Sequence, residues 1–258
     1  MVTAIEDSGG RAVAVAADVT DTGQLRGLLG AAEWHYGGVD IVVSNVGLAR
    51  FSPIADASDT DYDLIFTTNT RSAFMALHEA ANRVRDGGWI VVVSSGAAVT
   101  YRPGTGVYSA SKAVGDALVR VLAKEFGPRG ITVNSVLPGA TRTLGLTAHQ
   151  PPGMRELIAA QTPLGRLGEP DDIAEIVAFP ASDAARWSPA GPCTPAAAVL
   201  TFLRSQAKSP TRRTLAGAGI ESVEQDAAPL KALAGQPNRA VVSGTPTISR
   251  VAAWDQVR

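Results

Sequence analysis

Short, β-branched apolar runs alternate with longer stretches whose apolar residues recur at helical spacing, and this alternation constrains the fold more than any other feature. Residues 12–17 (AVAVAA), 40–44 (DIVVS), 89–94 (WIVVVS) and 131–136 (ITVNSV) read as strands. Residues 22–34, 60–83, 110–126 and 171–179 read as helices. The first places Leu25, Leu28, Leu29 and Ala32 on one face, and the second is expected to be interrupted near its middle. Gly87-Gly88 reads as a turn, and Gly127-Pro128-Arg129-Gly130 as a helix stop. The strand runs are short and flanked by helices. That predicts a parallel sheet with helices on both faces, an α/β doubly wound architecture. In such sheets ligands bind beyond the carboxyl ends of the strands. Asp18, Asn45, Gly47, Ser95 and Pro138-Gly139 fall at or just past those ends, so they converge on one rim.

Composition narrows the function classes. With 258 residues and 45% hydrophobic side chains, the chain can build one sizeable core. The 23 Lys+Arg and 24 Asp+Glu nearly cancel, which argues against a nucleic-acid partner. One cysteine, Cys193, excludes an internal disulfide framework and a cysteine zinc site, and His35, His78 and His149 are too scattered for a metal cluster. No apolar run approaches a membrane span, and the opening MVTAIEDSGG lacks a signal-peptide pattern. The expected location is cytoplasmic. The character changes near residue 191. Residues 1–191 carry 15 basic and 20 acidic side chains, whereas 192–258 carry 8 basic and 4 acidic ones and scattered prolines. The expectation is therefore a 1–191 domain followed by a divergent, partly ordered tail, 192–258.

Tyr108 and Lys112 are four residues apart and share a helical face. An ammonium beside a phenol favours the phenolate, which predicts a lowered tyrosine pKa and a group ready to exchange a proton with a carbonyl or alcohol oxygen. Ser95, 13 residues earlier at a strand end, could hold the same oxygen. The plain alternative is a tyrosine packed by its ring and a solvent-facing lysine.

The surrounding motifs resemble those of the short-chain dehydrogenase/reductase family. Asp18-Val19 is similar to the family's acidic residue after the third strand, which lies beside the cofactor's adenine. Ser44-Asn45-Val46-Gly47 is similar, with two substitutions, to the NNAG motif lining the cofactor cleft. Asn69 matches the asparagine of the long helix that completes a proton relay through a water. Ser95, Tyr108 and Lys112 match the serine, acid/base tyrosine and ribose-holding lysine. Asn134 with Pro138-Gly139 resembles the NxxxPG signature, followed by Thr141 or Thr143 as the threonine that contacts the cofactor. Residues 167–174 (LGEPDDIA) resemble a late family segment, and residues 183–187 the stretch before its last strand. The resemblance implies a Rossmann-like sheet and NAD or NADP as cofactor. It implies a sugar, polyol or 3-oxoacyl type of carbonyl or alcohol substrate. It also implies an oligomer contact along the helix near residues 60–83, with residues 143–167 lining the substrate pocket.

Family members open with a strand, a glycine-rich phosphate loop and a helix before the second strand. Here residues 1–10 read as the end of the helix before the third strand, so the expectation is a sheet lacking its first βαβ unit. Residues 239–250 (RAVVSGTPTISR) have strand-then-Ser-Gly character. Ile248 and Arg250 stand where the second and third loop glycines would be, so this stretch is not assigned as a cofactor loop. A missing central strand would leave backbone groups unpaired. Two functions therefore compete. One is an NAD(P)-dependent oxidoreductase with an intact proton relay. The other is a non-catalytic remnant or structural partner unable to bind cofactor.

Overall fold

The computed structural model describes residues 2–143, 146, 153–182, 192–193, 239–244 and 249–254. Among them the strands are β1 (Arg11–Ala14), β2 (Val39–Ser44), β3 (Val84–Val93), β4 (Thr132–Val136), β5 (Pro192–Cys193), β6 (Arg239–Gly244) and β7 (Ser249–Trp254). They form one sheet in the order β1-β7-β6-β2-β3-β4-β5. The β6–β2, β2–β3, β3–β4 and β4–β5 ladders are parallel. This is the Rossmann-like α/β sheet expected from the alternation.

One strand departs from that expectation. β7 runs antiparallel to both β1 and β6, so the sheet is mixed. The edge of β2 is not left open. β6 pairs with it through Ile41↔Val241, Val42↔Val242 and Val43↔Ser243, and β7 pairs with β1 from Arg11↔Ala253 to Ala14↔Arg250. An uncovered parallel edge leaves a row of N–H and C=O groups without partners. Two extended segments from the end of the chain satisfy that row. Residues 245–248, between them in sequence, lie outside the described residues.

The helices are α1 (Val2–Asp7), α2 (Thr22–Tyr36), α3 (Asp59–Ile65), α4 (Ser72–Arg83), α5 (Ala97–Thr100), α6 (Gly106–Phe126), α7 (Met154–Ala160) and α8 (Pro170–Ala178). Their ends follow local chemistry. Asp21 caps α2 by accepting the Gln24 N–H at 2.9 Å, and Gly37 ends it at φ 79°, a left-handed conformation that favours glycine. α8 starts with a reciprocal Glu169–Asp172 capping box and Pro170 in its first turn. The expected interruption of the long helix is a π-helical turn, Phe66–Arg71, between α3 and α4.

Successive residues of β2 and β3 serve opposite cores. Val42, Ile90 and Val92 pack with Leu25, Leu28, Leu29 and Val119 on one face. Ile41, Val43, Val91 and Val93 pack with Ile5, Val177 and Ala181 on the other. Double coverage explains the absence of polar alternation in these strands, and each fully buried aliphatic side chain contributes roughly 1.5–3 kcal/mol. One expectation needs correction. Gly87-Gly88 is not a separate turn but lies inside β3, where the pairing with β2 shifts between Val39 and Ile41. Trp34 is 85% exposed, because α2 turns Leu25, Leu28, Leu29 and Ala32 inward. No helix among the described residues is long and apolar enough to cross a membrane.

Candidate active site

The carboxyl ends of β2, β3 and β4 open onto the N-terminal half of α6, which carries Tyr108 and Lys112. Lys112 is 5% exposed, and its Nζ donates to the Val93 carbonyl, the last residue of β3, at 3.1 Å. Gly47, just past β2, lies against the same ammonium, and a β-carbon there would stand 2.6 Å from Nζ. A glycine at this point leaves room for the lysine and exposes backbone to the space beside it.

Asn69 sits in the π-helical turn and is 3% exposed. Its Oδ1 accepts the Leu48 N–H at 2.7 Å, and its Nδ2 donates to the Leu48 carbonyl at 2.8 Å and to Ser111 Oγ at 2.9 Å. Ser111 Oγ in turn donates to the Tyr108 carbonyl at 2.7 Å. One side chain thus ties the loop after β2 to α6 between the tyrosine and the lysine. π-turns recur at functional sites because they re-aim a side chain that a regular helix would turn elsewhere.

Ser95 follows β3, and its Oγ accepts the Ala97 N–H at 3.2 Å. Its hydroxyl also reaches the Tyr108 phenol. Burial pushes the Tyr108 pKa up, and the bond from Ser95 acts against that rise. The expectation of a lowered tyrosine pKa is therefore corrected. The Lys112 ammonium is spent on the Val93 carbonyl, and burial dominates at the phenol. Burial also lowers Lys112 to about 8, with the Asp116 carboxylate opposing the fall.

The remaining sequence-selected residues flank this centre. The Pro138 carbonyl accepts the Gly96 N–H at 2.8 Å, joining the ends of β3 and β4. Gly139 accepts from Thr141 Oγ1 at 3.1 Å, and Thr141 pairs with Gly168 in an isolated bridge. Thr143 Oγ1 accepts the Leu146 N–H at 3.3 Å. On the other flank, Asp18 Oδ1 accepts from the backbone and hydroxyl of Thr20 at 2.8 and 2.7 Å, an Asx turn ahead of α2. Val19 and Asn45 line a narrow cleft between α2, α4 and β2. His149 lies outside the described residues, as do residues 183–187.

Sequence reading missed three neighbours. Phe51 packs edge-on to Tyr108, with ring centroids 5.6 Å apart, from a loop with no periodic signal. Ser94 and Asp116 lie buried behind Lys112, 3.0 Å apart. The spacing of Asp116, one more turn along α6, was the available sign.

Comparison with known proteins identifies the family. The profile of a family described as Enoyl-(Acyl carrier protein) reductase matches residues 1–189. An uncharacterized oxidoreductase from Methylorubrum extorquens is 41% identical over 192 residues, 72% of this chain and 76% of the relative. An NADPH-dependent aldehyde reductase-like chloroplastic protein from Arabidopsis thaliana is 38% identical over 188 residues, 71% of this chain and 70% of that protein. The crystal structure of the angucycline C-6 ketoreductase LanV with bound NADP superposes with a TM-score of 0.70. It is 31% identical and covers 75% of this chain and 77% of that one. The parallel β6–β2–β3–β4 ladders with helices on both faces define a Rossmann-like α/β protein. The chain belongs to the short-chain dehydrogenase/reductase family, whose general activity is NAD(P)-dependent oxidoreduction.

The residues present fit the nicotinamide-ribose end of such a cofactor. The Lys112 ammonium stands beside the side-chain-free edge at Gly47. The phosphate end is built differently. Among the described residues β6 is followed by β7, not by a helix whose N-terminus would face an anion.

Proposed function

We propose that the chain reduces a carbonyl group with NADPH, and that Tyr108 is the proton donor. The observation that carries this reading is the Ser95 hydroxyl bonded to a half-buried Tyr108, one helical turn from the buried Lys112 beside Gly47. Ser95 hydrogen-bonds the substrate oxygen, and Tyr108 delivers its proton to that oxygen as negative charge develops there. Lys112 holds the ribose hydroxyls and supplies positive charge close to the phenolate that is left. Asn69 fixes the loop and the helix that carry these groups, and places a water for the return of the proton. Asn45, Gly47, Pro138, Gly139 and Thr141 line the cofactor side, with Asp18 and Val19 at the adenine end. A bound nicotinamide supplies the hydride, which no amino-acid side chain can do. NADPH is preferred over NADH by likeness to the NADPH-dependent aldehyde reductase-like relative and the NADP-bound ketoreductase.

The substrate is a small-molecule ketone or aldehyde. Phe51, edge-on to Tyr108 and 44% exposed, supports an apolar wall beside the reacting oxygen. A second copy of the chain is the proposed partner, across a groove formed by Phe66, Thr70, Phe74, Val114 and Leu118, where Phe74 is 49% exposed. The test is NADPH oxidation with a panel of aryl ketones, aldehydes and sugars. Turnover that disappears in Tyr108→Phe supports the reading, and turnover that survives it sinks the assigned role.

A second reading rests on one observation. Among the described residues β6 is followed by an antiparallel strand, β7, and not by a helix that would face the pyrophosphate. On that reading the chain is a folded, non-catalytic member of the family. Absence of both NADPH binding and turnover in a cooperatively melting sample would establish it.

A further inference from the structure

Tyr108, Lys112 and Asp116 follow one another at intervals of four along α6 and so form a single stripe. The first two belong to the proposed proton relay. Asp116 touches neither substrate nor cofactor space, yet it is 3% exposed, nearly as buried as any aliphatic residue around it. Its Oδ2 accepts from Ser94 Oγ at 3.0 Å, and its buried Oδ1 has no hydrogen-bond partner in the structure. A carboxylate is expensive to bury unless a charge or several donors compensate it, and an apolar side chain of similar size would serve packing better. The charged groups that bear on it are Lys112 and Arg120, both on α6. From the sheet beneath, the hydroxyls of Ser94, just past β3, and of Ser135 on β4 bear on it.

We propose that Asp116 is a positioning residue for the proton relay: its buried carboxylate, one turn beyond Lys112, keeps the lysine charged and directed toward the Val93 carbonyl and the Gly47 edge. The proposal rests on the reductase reading of the site for its purpose, but not for its test. The physical logic is direct. Burial drives Lys112 toward its neutral form, and a neutral amine does nothing to stabilise a phenolate. Asp116 is the negative group that opposes this loss, and Ser94 fixes the carboxylate that does so. Burial pushes the Asp116 pKa up as well, while the neighbouring hydroxyls, Arg120 and Lys112 hold it down.

The chain contains four lysines, Lys112, Lys124, Lys208 and Lys231, which makes the test tractable. With carbon-13 at lysine Cε, each signal reports its own protonation, and Lys112→Met identifies the one of interest. In the full-length protein the Lys112 signal titrates near pH 8. In Asp116→Asn its midpoint is expected to fall by about one pH unit or more, and in Asp116→Glu to return close to the starting value. Thermal melts of each variant run beside the titration. If the Asn variant does not fold, Asp116→Leu takes its place. An unchanged midpoint in a folded neutral variant overturns the proposal. Failure of both neutral variants to fold overturns it too, by assigning Asp116 to stability instead. A chain with no turnover that still shows the shift sinks the reductase reading and leaves this proposal standing. Turnover without the shift does the reverse.

Discussion

Gly47 and Lys112 are held so close that no side chain can stand between them. A β-carbon at residue 47 would lie 2.6 Å from the lysine Nζ. The obstacle is the end of a flexible side chain, not backbone, so Gly47→Ala is expected to fold and to displace the ammonium. The prediction is a melting temperature within a few degrees of the parent and a fall in turnover of at least about tenfold, measured as NADPH oxidation. Equal turnover would show that the lysine's position is not critical.

Asn69 carries three buried hydrogen bonds, two to Leu48 and one to Ser111. Asn69→Ala leaves the Leu48 N–H and carbonyl without those partners, at a cost of about 1–3 kcal/mol. Denaturant unfolding should register that loss. Asn69→Asp keeps the acceptor for the Leu48 N–H but loses both donated bonds, and should fall between Asn and Ala.

Lys112 gives a pH signature. Its pKa falls from 10.5 in the unfolded chain to about 8 in the folded one, so the folded state binds fewer protons between those values. Below pH 8 both states carry the charge and the full burial penalty applies. Above 10.5 both are neutral and the penalty is gone. Relative to Lys112→Met, wild-type stability should therefore rise between pH 8 and 10.5, by about 3 kcal/mol in total at one tenfold step per pH unit. Paired melts across that range test it. A constant difference between the two proteins would contradict it.

The tail makes a separate prediction. β6 and β7 cover the edges of β2 and β1, so removing residues 239–258 uncovers two rows of backbone groups. The shortened chain should melt lower or aggregate. A synthetic peptide of residues 236–258 should restore a cooperative melt. An unchanged melting temperature after truncation would mean that this pairing contributes nothing to stability.

The buried strands of the first half were legible because double coverage forces uninterrupted apolar runs, as in Trp89–Val93. The helix carrying Tyr108 was legible from its four-residue spacing. Ends were less so. α6 starts at Gly106, where Ile54 crowds any β-carbon, and that contact is invisible to local pattern. The strand at Arg239–Gly244 was seen only as a strand-like fragment, because its role depends on an edge presented by residues two hundred positions away. The tyrosine–lysine pair was readable, but the sign of the tyrosine shift was not. Spacing reports which groups meet, whereas burial and the competing Val93 carbonyl set the balance between them.

The most direct measurement is a titration of the full-length chain with NADPH and NADH, following cofactor fluorescence and recording a thermal melt of each sample. The account predicts saturable binding in the micromolar range, tighter for NADPH, and a melting temperature that rises with cofactor concentration as linkage requires. A cooperative melt that neither cofactor shifts, with no change in fluorescence, would contradict it.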